Sequence, residues 1–156
     1  MTTRGIERLK EEGVPFEELT YRPDAEGVRF AAQALGLDAR TVIKTLVFQA
    51  DDRTFLLALM AGDGNVSEKK LARSSGHKKV SPASPRDAER VTGYEIGGIG
   101  PFGLRRPLPV VLDSGLTEWP SVAVNAGARG TLVRLATADL VRLTDATVAD
   151  IRVEYE

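Results

Sequence analysis

At 156 residues, 42% of them apolar, and with a net charge of −1, the chain is sized for one domain that buries a core without covalent staples. It has no cysteine and one histidine, His77, which excludes disulfides, thiol nucleophiles, thiolate metal sites and any histidine-based catalytic pair. No apolar run approaches the roughly 20 residues of a membrane span and the first residues lack the apolar core of a signal peptide, so a cytoplasmic protein is expected.

Taken in order, Thr3 to Glu12 reads as a helix with Ile6 and Leu9 on one face and Gly13 as its stop. Phe16 to Tyr21 alternates as a strand, and Val28 to Leu35 is a second helix closed by Gly36, with Asp38 capping a short turn. Val42 to Phe48 and Phe55 to Met60 are apolar strands joined across Asp51-Asp52-Arg53 as a hairpin. Ser67 opens a helix ending near Gly76, and Ser84-Pro85 places a cap and a first-turn proline ahead of a helix to Val91. Val110–Leu112, Val122–Asn125, Leu132–Leu135 and Ile151–Val153 are strand candidates, and Thr137 caps a helix from Ala138 to Leu143. Helices and strands do not alternate regularly, which predicts a single α+β domain over residues 1–156, its mixed and largely antiparallel sheet curving or closing into a barrel flanked by helices.

The stretch Gly97-Gly98-Ile99-Gly100-Pro101-Phe102-Gly103 is the most distinctive in the chain. Glycine allows close approach of a ligand to the main chain, and Pro101 restricts its own φ and the conformation of Gly100, so the loop's working groups are its backbone amides. The spacing also satisfies the G-x-G-x-x-G of a dinucleotide site, but Pro107 and Pro109 follow and stop the helix such a site requires. A plain glycine-rich connection remains the competing interpretation.

Lys44 stands in Val42-Ile43-Lys44-Thr45-Leu46-Val47-Phe48, a strand apolar on both faces. A lysine is rarely buried there unless paired; the alternative is that it lies at the strand's start and extends its ammonium into water. Lys69-Lys70, His77-Lys78-Lys79 and Arg105-Arg106 are small basic clusters that matter to a polyanion only if folding gathers them. His77 reads as an exposed helix-terminal or phosphate-contacting residue, and Trp119 as a packing residue between strands.

Lys44 within Val42–Leu46, then Lys78-Lys79-Val80, Thr92-Gly93-Tyr94 leading into Gly97–Pro101, and Asn125-Ala126-Gly127-Ala128-Arg129-Gly130 together resemble the YbaK family, free-standing relatives of the editing domain inserted in bacterial prolyl-tRNA synthetase. The likeness runs in order from about Tyr21 to Ile151. It implies an enzyme that cleaves the aminoacyl ester of mischarged tRNA, most typically cysteine on tRNA for proline, needing no metal or cofactor. Lys44 matches the family's functional lysine and Gly97 the first glycine of its G-x-x-x-P loop, the two residues implied for catalysis. Substrate contacts are implied at Tyr21, Phe30, Gly98, Ile99, Gly100, Pro101, Asn125 and Gly127. The chain departs from the family at Asn125, commonly serine, and at Ala128, frequently lysine. The partners implied are the acceptor end of tRNA and a prolyl-tRNA synthetase, and the competing function is a non-catalytic module that holds a charged tRNA end or docks on a synthetase.

Overall fold

The structure is a computed structural model in which the described residues are 2–22 and 28–154, the side chains of residues 28–30 excepted. Five helices are seen among them: α1 (Arg4–Glu11), α2 (Val28–Leu35), α3 (Glu68–Ser75), α4 (Pro85–Thr92) and α5 (Thr137–Thr144). Strands β1 (Glu17–Thr20), β7 (Thr131–Ala136) and β6 (Ser121–Asn125) form one sheet in that order. The second sheet runs β4 (Val80–Pro82), β2 (Ile43–Ala50), β3 (Phe55–Ala61), β5 (Val110–Asp113) and β8 (Thr147–Ala149). The pairings β3–β5 and β5–β8 are parallel and the others antiparallel. A single parallel bridge, Val42 to Ala123, joins the two sheets. The α+β class and its mixed sheet are as the residue pattern predicts.

Strand alternation sorts the core. From β3, Leu57 and Leu59 face a cluster shared with Val122, Val124, Val133 and Leu135 of the other sheet, while Leu56, Ala58 and Met60 face Leu71 of α3. Every residue of β3 is buried, so β3 rather than β2 is the strand covered on both faces. Removing a side chain such as Leu57 or Leu59 from water stabilises the fold by roughly 1.5–3 kcal/mol. A third, smaller cluster sets Ala31 and Ala32 of α2 against Val42, Ala123 and Leu132 beside the bridge.

Local signals hold at several helix ends. Thr3, Ser67 and Ser84 accept hydrogen bonds from Ile6, Lys70 and Asp87 amides respectively, and Gly76 and Gly93 close α3 and α4 in the left-handed conformation. The expected cap at Thr137 does not form; α5 begins there, Ala136 is the N-cap residue, and the Thr137 hydroxyl donates to the Trp119 carbonyl at 2.6 Å. The last strand lies at Thr147–Ala149, and the expected Ile151–Val153 pairs only as a single antiparallel bridge, Arg152 to Val66, flanked by Ser67 N–H to the Ile151 carbonyl at 2.7 Å and Val153 N–H to the Asn65 carbonyl at 2.9 Å. The ladder does not extend because the Ile151 N–H donates at 3.0 Å to Oδ1 of Asp113, 3% exposed, and the Ser67 carbonyl opposite accepts the Leu71 N–H of α3. His77 is half-buried, not exposed, with its Nδ1 at 3.7 Å from Asp51 and 3.8 Å from Asp52 in the β2–β3 turn. Trp119 packs in part against the main core, with the Arg40 guanidinium 5.2 Å above its ring. No helix among the described residues is long and apolar enough to cross a membrane.

Candidate functional site

The cleft arises because β2 outruns its neighbours. Strand β4 pairs only with Phe48 to Ala50, and the bridge to β6 stops at Val42, so the edge of β2 from Ile43 to Leu46 lies between the two sheets as they part. A cleft of about 460 Å³ opens there. Its walls are mostly apolar: Leu46 and Phe48 of β2, Pro82 at the end of β4 and Ala83 after it, Pro85 and Ala88 of α4, and Leu132 of β7. The Ser84 cap and Pro85 in the first turn fix where α4 starts, and thereby where that wall stands.

Lys44 and Thr45 form the polar part of the β2 wall. Lys44 is half-buried, sits opposite Met60 in the β2–β3 register, and its Nζ donates to the carbonyl of buried Gly64. The ammonium therefore does not simply extend into water; it is anchored at the turn after β3, and Lys44 is among the residues that line the cleft. An added Cβ at Gly64 would meet Met60 Sδ and the Arg152 guanidinium at 2.9 Å, so the ends of those two flexible side chains would have to shift. Thr45 Oγ1 is, among the described residues, the one buried side-chain polar atom with no hydrogen-bond partner. Buried polar atoms are nearly always paired, so this hydroxyl is set apart from the rest of the fold.

Across the cleft stand Ile96, Gly97 and Ile99 of the glycine loop, with Asn125 at the end of β6 and Tyr21 after β1. Gly97 has φ +92°, a conformation only glycine adopts readily, and the stem of Arg129 lies 3.0 Å from where a Cβ would be. Ile96 is a large apolar side chain 49% exposed at the rim, its N–H held by Glu89 of α4 at 2.9 Å. Gly98, Gly100 and Pro101 are buried behind the lining. A Cβ on Gly98 would lie 3.2 Å from the Arg129 backbone, and one on Gly100 only 2.0 Å from the Asn125 carbonyl oxygen. Those two glycines serve the close packing of one loop on the other. Gly127 likewise packs on the Tyr94 ring, 2.6 Å from a hypothetical Cβ, and Tyr94 donates to the Phe102 carbonyl behind the loop. Burial pushes the Tyr94 phenol above its ordinary range.

Of the residues singled out from the sequence, the fold thus gathers Tyr21, Lys44, Gly97, Ile99 and Asn125 around one cleft, and leaves Gly98, Gly100, Pro101 and Gly127 supporting it. Phe30 belongs to α2, and its side chain lies outside the described residues. Thr45, Ile96 and the α4 wall were not foreseen. A hydroxyl inside an apolar strand was the available signal for Thr45, whereas nothing local marked Ala88 or Leu132 as facing a ligand. The basic clusters do not converge on the cleft lining, and Lys70 is spent on Asp150, Glu154 and the Arg152 carbonyl. No helix opens between residues 98 and 109, so a dinucleotide site has no helix N-terminus there. No group of three or more potential metal-binding side chains occurs among the described residues.

Residues 22–143 match the aminoacyl-tRNA editing domain family. The chain is 30% identical over 151 residues to a protein of Enterococcus faecalis named "Putative Cys-tRNA(Pro)/Cys-tRNA(Cys) deacylase EbsC", covering 96% of this chain and 92% of that one. It is 33% identical over 119 residues to a proline--tRNA ligase of a Sulfurihydrogenibium species, where the match takes in 76% of this chain and 20% of the ligase. Among solved structures, the crystal structure of "a putative trans-editing enzyme for prolyl tRNA synthetase" superposes with a TM-score of 0.86 and 29% identity over 99% of both chains. With its sequence and its fold shared along nearly the whole length, the chain belongs to the aminoacyl-tRNA editing domain family.

Proposed function

We propose that the chain is a trans-acting deacylase that cleaves the ester joining a wrong amino acid to the terminal adenosine of tRNA, with cysteine on tRNA for proline as its first substrate. The observation that carries this is the placement of Lys44 and Gly97 on facing walls of one largely apolar cleft, in a chain with no cysteine and no histidine near it. Such a site offers neither a thiol nor a histidine to activate a hydroxyl, and a cysteinyl ester carries its own nucleophile.

The substrate's thiol sulfur attacks its own carbonyl carbon, the bond to the 3′-terminal ribose oxygen breaks, and the thiol proton ends on that oxygen, leaving free tRNA and a thiolactone. Holding thiol and ester in attack geometry is worth up to ~7–11 kcal/mol, and each amide aimed at the developing oxyanion roughly 3–4 kcal/mol. The Gly98 N–H is already bonded to the Glu95 carbonyl and the Ile96 N–H to Glu89, so the oxyanion falls to other amides of the loop, Gly97 and Ile99 being the residues that line the cleft. Lys44 balances negative charge at the aminoacyl end from its anchor on Gly64. For an amino acid without a thiol, water attacks in the same geometry.

The partner is the acceptor end of tRNA, and selection of the tRNA body is weak and shared with a prolyl-tRNA synthetase, in keeping with a net charge of −1. Binding of free tRNA to the isolated protein should weaken with salt. Incubation with Cys-, Ala- and Pro-tRNA tests the proposal: accelerated loss of at least one mischarged ester, with Pro-tRNA spared, is expected. Unchanged half-lives for every ester at stoichiometric protein would leave a binding module instead.

A further inference from the structure

Asn125 is joined to both glycine-bearing loops at once. Its Oδ1 accepts the N–H of Gly127 at 2.8 Å and of Ala128 at 3.2 Å, and its Nδ2 donates to the carbonyl of Gly97 at 3.1 Å. The first pair of bonds folds the turn after β6, where Gly127 has φ +108°. The third reaches into the loop that carries Gly97. We infer that Asn125 is a positioning residue: a strut that holds the Gly97–Gly98 peptide plane in the orientation the cleft requires.

The geometry of that plane supplies the reason. In a trans peptide the C=O and the N–H point in opposite directions. Here the Gly97 carbonyl is held by Asn125, and the Gly98 N–H on the other side is held by the Glu95 carbonyl at 2.9 Å. One plane is clamped at both ends. It needs the clamp, because the residues on either side of it are glycines, which have no Cβ to resist rotation and populate both signs of φ. A loop that owes its close packing to glycine is, for the same reason, free to flip. Asn125 is suited to the task in a way a shorter hydroxyl residue is not, since an amide carries a carbonyl for the turn and an NH₂ for the loop on one rigid group. Both acceptor sites of Oδ1 are taken by the turn, so the side chain acts through the loop and not chiefly on the substrate.

The assignment rests on the deacylase proposal for its catalytic consequence, but not for its structural part. Asn125→Asp keeps two acceptors for the Gly127 and Ala128 amides and replaces the donor to Gly97 with an oxygen, whereas Asn125→Ala removes both functions. Amide hydrogen exchange of the ligand-free protein should show Gly98 at least fivefold faster in both variants, with Gly127 and Ala128 still protected in Asn125→Asp and exposed in Asn125→Ala. Single-turnover deacylation by Asn125→Asp should fall at least fivefold at an unchanged KM. Wild-type exchange at Gly98 in Asn125→Asp, or a raised KM with an unchanged rate, would overturn the strut and make Asn125 a direct contact. Faster exchange with an undiminished rate would equally overturn the positioning role. Should the wild-type protein cleave no aminoacyl ester, the deacylase assignment falls while the exchange measurement still decides whether Asn125 holds the loop.

Discussion

Two hollows of nearly equal size open on this molecule, the cleft at about 460 Å³ and a second at about 470 Å³ bounded by Arg40, Asp63, Asp113, Glu118, Trp119 and Arg152. The second is far richer in charge, yet the fold has already used much of it. Arg152 pairs with Asp63 at 3.2 Å, Arg40 with Asp38 at 2.7 Å while lying over Trp119, and both oxygens of Asp113 accept backbone amides. The cleft has fewer charged side chains and mostly apolar walls, and among its lining residues Thr45 carries a hydroxyl that is itself buried and has no hydrogen-bond partner in the described protein. Volume alone therefore does not separate the two hollows; the first is walled mainly by apolar side chains, the second by charged side chains that the fold has paired. Structural ion pairs of the second hollow are a stability feature, and each exposed pair is worth only about 0–1 kcal/mol.

The sharpest way to break the comparison is at Gly100. A Cβ there would lie 2.0 Å from the Asn125 carbonyl oxygen, a backbone atom that cannot give way without moving β6. Gly100→Ala should cost roughly 3 kcal/mol or more in chemical denaturation and abolish deacylation, and a variant with parental stability would show that the two loops are not interlocked.

Lys44→Ala comes next. Loss of an ammonium that serves the reacting ester should lower single-turnover deacylation at least tenfold, equivalent to about 1.4 kcal/mol of transition-state stabilisation, in a protein that still folds. Thermal unfolding run beside the kinetics separates the two roles, since Lys44 also holds the Gly64 carbonyl. Parental turnover in a folded variant would remove Lys44 from the chemistry and return it to the structural role of a chain anchor.

Thr45→Val changes shape little and deletes the unpartnered hydroxyl. Stability should rise by about 1 kcal/mol, read as a higher Tm, because a buried hydroxyl without a partner carries a desolvation penalty. A lower Tm would mean that the hydroxyl contributes to the fold and that the contrast between the two hollows fails at this residue.

The smallest effect belongs to the second hollow. Glu118 is exposed there, and Glu118→Gln should leave turnover unchanged and shift stability by less than about 0.5 kcal/mol. A several-fold loss of deacylation in this variant would tie the second hollow to the substrate.

Much of the architecture was legible because its signals are local. Ser67, Ser84, Gly76 and Gly93 mark helix ends by chemistry that acts within one turn, and the apolar runs around Leu46 and Leu57 are long enough to declare strands. What escaped was decided at a distance. Asp113 takes the Ile151 N–H across 38 positions of sequence, and Thr137 lies inside the first turn of α5, one residue past its N-cap position, with its hydroxyl donating to the Trp119 carbonyl. Neither partner is visible from the residues beside it.

The glycine loop shows the same division within a few residues. Its composition alone determined that the main chain there could turn sharply and lie close to another group, because residues without a Cβ are the ones that tolerate φ +92° at Gly97 and close contact at Gly100. Which close approach each glycine serves was settled only by tertiary structure. Gly97 meets the cleft, while Gly98 and Gly100 meet the backbone of the loop that follows β6, a segment 25 or more residues further along the chain. The amides of the loop are likewise equivalent on paper and unequal in the fold, since Glu89, Glu95 and Asn125 bind some of its polar groups and not others. Conformational freedom is a property of the residue, but the use made of a backbone group depends on which partner the rest of the chain brings within about 3 Å of it.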